Sequence, residues 1–85
     1  MANFHLEIVT LDGLKYEGEV ERLTLRTITG DLAILARHTN YCTAVGMGTA
    51  KLRFPDGKER EAACVGGMLS VMDGMCRLLP TTFEW

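Results

Sequence analysis

The sequence lacks most features that would indicate a membrane span, secretion or nucleic-acid binding. No apolar run approaches the roughly 18 residues that a transmembrane helix needs, and the N-terminus shows no charged segment leading into an apolar core, so no secretory signal is expected. The formal net charge is −2 and the basic residues are scattered, whereas nucleic-acid binders usually carry a basic patch. We therefore expect no nucleic-acid partner and no direct membrane insertion.

Residues with reactive side chains are also scarce. The only serine, Ser70, lacks the G-x-S-x-G motif of a nucleophile elbow. Cys42, Cys64 and Cys76 show no CxxC spacing, and unpaired cysteines of this kind are typical of buried apolar residues in a reducing compartment. The four-residue spacing of His38 and Cys42 does not by itself bring a thiol and an imidazole together. The sequence thus predicts no catalytic residue, no metal site and no cofactor.

Short segments of alternating apolar and polar residues make up most of the chain, and no stretch shows helical periodicity over ten residues. Three Asp-Gly pairs, at residues 12–13, 56–57 and 73–74, are typical turn signals. A polar loop is predicted at residues 37–41. This pattern predicts an all-β sandwich or barrel, and a length of 85 residues predicts one domain spanning 1–85. Strands are predicted at 4–9, 15–20, 23–27, 32–36, 43–45, 50–54, 59–65, 68–72 and 75–79.

Two features predict a contact with another protein. Residues 32–36 are apolar at every position, so the predicted strand is either buried on both faces or part of a contact. Met68, Met72 and Met75 lie in or beside the last predicted hairpin. They either fill gaps in the core or form an adaptable binding face, because thioether side chains repack easily against varied partners.

Several stretches, in order and without gaps over residues 3–80, resemble the N-terminal domain of the epsilon subunit of F-type ATP synthases, the counterpart of the mitochondrial delta subunit. Each stretch is a weak signal alone, and their common order makes the resemblance specific. They are Phe4-His5-Leu6-Glu7-Ile8-Val9-Thr10, Tyr16-Glu17-Gly18-Glu19-Val20-Glu21, Thr29-Gly30-Asp31-Leu32-Ala33-Ile34-Leu35, His38, Thr43-Ala44-Val45, Asp56-Gly57, Gly66-Gly67-Met68-Leu69-Ser70-Val71 and Leu78-Leu79.

The resemblance implies an all-β fold, a flattened β-sandwich of about ten short strands. It also implies a non-catalytic rotor subunit in the central stalk, which binds the gamma subunit and the c-subunit ring and couples ion-driven rotation to ATP synthesis. Such a subunit needs no cofactor and lies at the cytoplasmic face of the plasma membrane as a peripheral part of the complex. The alternative interpretation is an unrelated small β-sandwich module for protein interaction.

Site residues are likewise implied by the resemblance. The first set is expected to contact the polar loops of the c-ring and comprises Thr29, Gly30, Asp31 and Leu32. The second set is expected to contact the gamma subunit and comprises His38, Tyr41 and Thr43, with Tyr41 as the expected anchor because buried aromatic side chains carry much interface energy.

The sequence departs from the family pattern in two places. Where many members read L-P-G-H-x-P, this chain has residues 35–40 with neither proline nor glycine, so the shape of that loop is not fixed by the resemblance. Typical bacterial members continue into a two-helix C-terminal domain, and this sequence ends at Trp85. No C-terminal helical hairpin is therefore expected within these residues.

Overall fold

A computed structural model describes residues 3–36 and 40–85 of the chain. These residues contain ten β-strands and no helix, as expected for an all-β fold. The strands are β1 (Phe4–Thr10), β2 (Gly13–Val20), β3 (Arg22–Thr27), β4 (Gly30–Leu35), β5 (Tyr41–Ala44), β6 (Met47–Arg53), β7 (Glu59–Val65), β8 (Met68–Met72), β9 (Met75–Leu79) and β10 (Thr82–Glu84).

The strands form two five-stranded sheets packed face to face. The first sheet has the order β2-β1-β9-β8-β5, and the second has the order β10-β7-β6-β3-β4. In the part of the chain that the structure describes, neighbouring strands pair antiparallel, except that β1 and β9 run parallel. The predicted β-sandwich of about ten strands is thus confirmed.

Alternation along each strand sends one set of side chains into the space between the sheets. In β1, for example, Phe4, Leu6 and Ile8 are buried while His5 and Glu7 are only partly covered. Both sheets contribute to one apolar core. Its fully buried members are Leu6, Ile8, Val20, Leu23, Ile34, Ala50, Leu52, Leu69, Cys76 and Leu78.

The predicted turns are confirmed, and the first of them is shifted by one residue. Asp73 and Gly74 both have positive φ, 51° and 81°, as a two-residue type I′ hairpin turn requires, and Met72 pairs with Met75 across it. The Lys58 amide donates to an Asp56 carboxylate oxygen at 2.9 Å in the β6–β7 turn. In the first hairpin, however, Gly13 already pairs with Thr10, so the loop residues are 11 and 12 and not 12 and 13.

Most strand boundaries differ from the sequence prediction by one to three residues, and three differences change how a segment is understood. The predicted polar loop at 37–41 ends earlier, because Tyr41 opens strand β5; residues 37–39 lie outside the described residues. Strand β6 begins at Met47 and runs through Gly48, three residues before the predicted start at residue 50. Strand β10 was not predicted from the residues because three positions are too few to show a period, yet Phe83 anchors it in the core.

Aromatic side chains close the sandwich where β2 approaches β10. The Tyr16 ring lies 5.7 Å from that of Phe54 and 6.2 Å from that of Trp85, and the Arg60 guanidinium stacks 4.0 Å from the Trp85 ring centre. Burial, with a smaller effect from the nearby Glu19 carboxylate, raises the pKa of Tyr16. These contacts tie the C-terminal strand to both sheets.

Candidate functional site

The residues expected to meet the c-ring lie at the tip of the β3–β4 hairpin. The turn is organised by the buried Thr27, whose hydroxyl donates to the Gly30 carbonyl at 2.8 Å and accepts from the Thr29 amide at 3.2 Å. Gly30 has a φ of 123°, which favours glycine there. The side chain of Ile28, which leads into this segment, is 70% exposed at the tip. The hairpin therefore presents a small, fixed protrusion with an apolar end.

Asp31 lies in strand β4, beside the turn. It is the direct partner of Arg26 across the hairpin, and the Arg26 Nε lies 3.2 Å from the Asp31 Oδ1. Both side chains are largely exposed, and such surface pairs stabilise a fold by about 0–1 kcal/mol. The Asp31 carboxylate is thus available to a partner without a large cost to the fold.

Leu32, by contrast, is half-buried and packs against the core. Its side chain follows the alternation of β4 and lies on the same face as the buried Ile34. Leu32 therefore holds the hairpin in place and offers less surface to a partner than Ile28 does.

The β5–β6 connection braces the hairpin tip. The Ile28 amide donates to the Ala44 carbonyl at 3.3 Å, and the Gly46 amide donates to the Arg26 carbonyl at 2.9 Å. A Cβ at Gly46 would lie 3.2 Å from the Thr27 carbonyl oxygen, so glycine allows this close approach. These two backbone hydrogen bonds join the hairpin tip to the β5–β6 connection, so the protrusion is held as part of the sandwich.

The residues expected to meet the gamma subunit belong to the edge strand β5. Tyr41 pairs with Val71 and Thr43 pairs with Leu69, and directly paired residues share a face of the sheet. Because Val71 and Leu69 are buried, Tyr41 and Thr43 lie on the core side of the sheet at its open margin. Tyr41 remains 37% exposed there. The third expected contact, His38, lies outside the described residues.

The described residues of the two predicted sets, which leave out His38, lie on adjoining segments. Thr43 precedes Ala44, whose carbonyl accepts the hydrogen bond from the hairpin tip. At the other end of β5, the Asn40 side-chain oxygen accepts from the Asp73 amide at 3.0 Å. Strand β5 is therefore held at both ends, and it runs from the hairpin tip to the β8–β9 turn.

Three methionines of strands β8 and β9 lie on the outer face of the first sheet. Met68, Met72 and Met75 are 45%, 54% and 39% exposed, so they do not fill the core, and Leu79 beside them is 44% exposed. We call these four side chains the methionine face. The sequence left open whether the methionines were core or surface residues, because alternation cannot tell which of two largely apolar faces turns inward.

Two of the three cysteines, Cys64 and Cys76, are buried, and Cys42 is exposed. Burial raises the pKa of the Cys64 thiol and raises that of Cys76 to about 12, so both thiols stay protonated and unreactive at neutral pH. Within 3–36 and 40–85, no three His, Cys, Asp or Glu side chains are grouped to hold a metal ion. In the same residues, no helix is long and apolar enough to cross a membrane.

The family model for the beta-sandwich domain of the ATP synthase delta/epsilon chain matches residues 3–85. The chain belongs to this family. An epsilon chain of Caldicellulosiruptor bescii ATP synthase is 36% identical over 85 residues, covering 100% of this chain and 61% of the relative. A sodium-ion-specific epsilon chain of Acetobacterium woodii ATP synthase is 34% identical, covering 96% of this chain and 62% of the relative. The chain thus spans about three-fifths of the length of these delta/epsilon relatives.

A solved structure agrees on the fold of this delta/epsilon domain. A chain in the Euglena gracilis mitochondrial ATP synthase, in a structure of its OSCP, F1 and c-ring parts, superposes with a TM-score of 0.90 at 22% identity. The match covers 98% of this chain and 53% of that chain. With the family established, the interpretation as an unrelated β-sandwich module has no support.

Proposed function

We propose that this chain is a non-catalytic rotor element of the central stalk of an F-type ATP synthase, which binds the gamma subunit and the c-ring. The observation that carries the proposal is the membership of the whole sandwich in the delta/epsilon family. The relatives are epsilon chains of ATP synthases. The proposed role is to couple ion-driven rotation to ATP synthesis without a cofactor. The proposed location is peripheral, at the cytoplasmic face of the plasma membrane.

The architecture suits a subunit that couples rotation, because a mechanical load on the domain would be carried by hydrogen-bonded sheets. The hairpin tip is hydrogen-bonded through Ile28 to the end of β5 and through Arg26 to Gly46 in the β5–β6 connection, and β5 carries Tyr41 and Thr43. A contact at the hairpin and a contact along β5 would therefore be joined by backbone hydrogen bonds. Such a link transmits torque with little internal movement.

Substitution of Tyr41 by alanine should weaken the complex with the gamma subunit about tenfold or more, because an aromatic anchor at an interface carries a large share of the binding energy. The measurement is co-purification and titration of this chain with a gamma subunit from the same source. Lys58→Ala, in the exposed β6–β7 turn, is the matched control and should bind like the wild type. Failure of the wild-type chain to bind gamma at low and physiological salt would refute the proposed function.

Reversal of charge at Asp31 tests the c-ring contact. Asp31→Lys should slow association of the gamma-bound chain with isolated c-rings about tenfold at low ionic strength, because exposed interface charges act mainly on the association rate. Loss of the exposed Arg26 pair and the repulsion between Arg26 and the new lysine should each cost about 1 kcal/mol or less, so the domain should stay folded. Asp56→Lys, in the distant β6–β7 turn, is the control. Equal association rates for both variants and the wild type would contradict the assignment of Asp31.

A further inference from the structure

Strand β4 lies at the edge of the second sheet and is largely apolar on both faces. The sequence predicted that residues 32–36 are either buried on both faces or part of a contact. Burial on both faces is excluded, because Ile34 is fully buried but Leu35 is 52% exposed and Ala33 is exposed. The second sheet ends with β4, so within 3–36 and 40–85 no further strand pairs with its outer side. The contact that the sequence predicted is therefore sought along this edge.

The backbone groups of every second residue of β4 point away from the sheet. Asp31 is the direct partner of Arg26 in β3, and the Arg26 carbonyl accepts from the Gly46 amide, on the side of β3 away from β4. Directly opposed residues of an antiparallel pair either bond to each other or both point away. Arg26 and Asp31 thus point away from each other, and by alternation the N–H and C=O groups of Asp31, Ala33 and Leu35 point outward.

The other three sheet edges carry features that discourage pairing with a further strand. Strand β2 carries the charged side chains of Lys15, Glu17 and Glu19, and its register with β1 shifts once. Strand β10 has three residues and β5 has four. Charge, irregular register and short length are the usual protections of a sheet edge. Strand β4 has six residues and a single charge, Asp31 near its start, so its remaining length is unprotected.

A second copy of β4, running antiparallel, fits this edge. With Ala33 opposite Ala33 of the second copy, Asp31 lies opposite Leu35, and the outward N–H and C=O groups meet in about six backbone hydrogen bonds. The same register sets Leu32 opposite Ile34 on the core side, where both side chains are apolar. On the outer face, the small side chain of Ala33 leaves room at the two-fold axis. The edge is therefore complementary to itself, as an isologous two-fold contact requires.

We propose that the free domain forms a two-fold dimer in which the β4 strands of two copies pair antiparallel about Ala33, so that their second sheets join into one continuous sheet. Main-chain hydrogen bonds supply the attraction, and the apolar side chains of β4 fix the register. The contact is one strand wide, so the dimer is weak and depends on protein concentration. This inference needs neither the gamma subunit nor the c-ring and stands apart from the proposed function.

Sedimentation equilibrium of the wild-type chain, from micromolar to millimolar concentration, should show a reversible monomer–dimer equilibrium. Ala33→Lys places two like charges directly opposite each other and should raise the dissociation constant about tenfold or more. Ala33→Pro removes an outward N–H group without removing a bond to β3 and should have a similar effect. Ala63→Lys, at an exposed alanine of β7 in the interior of the same sheet, is the matched control and should dimerise like the wild type.

A third variant tests the register. In the proposed pairing, Leu35 lies opposite Asp31 of the second copy, so Leu35→Lys sets opposite charges across the two strands. The Leu35→Lys chain should therefore still dimerise, whereas Ala33→Lys, two positions away on the same face, should not. Loss of the dimer in Leu35→Lys would contradict this register.

Amide hydrogen exchange locates the contact on the strand. The amides of Ala33 and Leu35 point to water in the monomer and bond to the second copy in the dimer, so they should exchange about fivefold more slowly or less at millimolar concentration. The amides of Leu32 and Ile34 bond to β3 in both states and should exchange at unchanged rates. Residue-level exchange by mass spectrometry, at low and high concentration, measures all four in one sample.

The inference fails if the wild-type chain stays monomeric at millimolar concentration. It also fails if a dimer forms that tolerates Ala33→Lys or leaves the Ala33 amide unprotected, because such a dimer uses another surface. If Ala33→Pro does not fold, Ala33→Lys still carries the test, since the side chain at this position is exposed. Each of these outcomes leaves the proposed function standing, because that function is tested by binding to gamma.

Discussion

Replacement of Gly67 by alanine should destabilise the domain by roughly 3–5 kcal/mol, the sum of a backbone strain and an overpacking cost. Gly67 has a φ of 94°, which an alanine adopts only with strain. A Cβ there would also collide with the Leu79 carbonyl oxygen and lie 2.6 Å from the Pro80 Cα. Both obstacles are backbone atoms and cannot rotate away, so the β7–β8 connection would have to move from the end of β9.

Gly57→Ala separates the backbone-strain contribution from the overpacking contribution. Gly57 has a nearly identical φ of 90°, but a Cβ there meets no atom within 4 Å. This control should lose only the conformational share, about 1 kcal/mol, whereas Gly67→Ala should lose several times more. Urea denaturation followed by circular dichroism measures both values. For a domain of this size, each 1 kcal/mol lowers Tm by about 4–8 °C.

The outcome for Gly67→Ala is informative even if little folded protein is obtained. A domain of this size has a free energy of unfolding of roughly 4–13 kcal/mol, so a loss of about 5 kcal/mol would unfold a domain at the low end of that range. Poor recovery of Gly67→Ala beside normal recovery of Gly57→Ala would agree with the prediction. Equal midpoints of unfolding for the two variants would contradict the close packing of Gly67 against the chain at Leu79 and Pro80.

Local sequence chemistry was enough to predict most of the strands. Asp73-Gly74 needed only its two residues, because few other dipeptides adopt two positive φ values in a row. The alternation at residues 4–9 likewise predicted a strand, and in β1 its apolar positions Phe4, Leu6 and Ile8 are buried. These predictions succeeded because their causes lie within a few residues of each other.

The misplaced elements depend on partners that are distant in sequence. Gly48 continues strand β6 because it pairs with Cys64 of β7, a partner that no local pattern reveals. Strand β10 exists because Phe83 enters the core and the strand pairs with β7. Tyr41 opens a strand because β8 is available to pair with it.

The candidate site likewise combines features that the sequence predicted with features that depend on distant parts of the chain. The family resemblance pointed to Asp31 and Tyr41 as contacts, and the structure shows both partly or largely exposed; their roles remain predictions. The sequence could not say that Leu32 would be half-buried while Ile28 projects from the hairpin tip. It also could not place the methionines outside the core, since that depends on which face of β8 and β9 meets the second sheet.

Truncation of Leu78 to alanine should destabilise the domain by about 3 kcal/mol, within the range for a buried leucine that leaves a cavity. Leu78 is fully buried on β9, where it pairs with Ile8 on one side and with Leu69 on the other. Both neighbours are themselves fully buried and belong to hydrogen-bonded strands, so the site cannot collapse easily around the missing atoms. The measurement is the free energy of unfolding from urea titration.

Leu79→Ala is the matched control on the next residue of the same strand. Leu79 is 44% exposed and belongs to the methionine face, so its truncation should cost under about 1 kcal/mol of stability. A large stability loss for Leu78→Ala beside a small one for Leu79→Ala would agree with the assigned orientation of β9, and similar losses for both would contradict it.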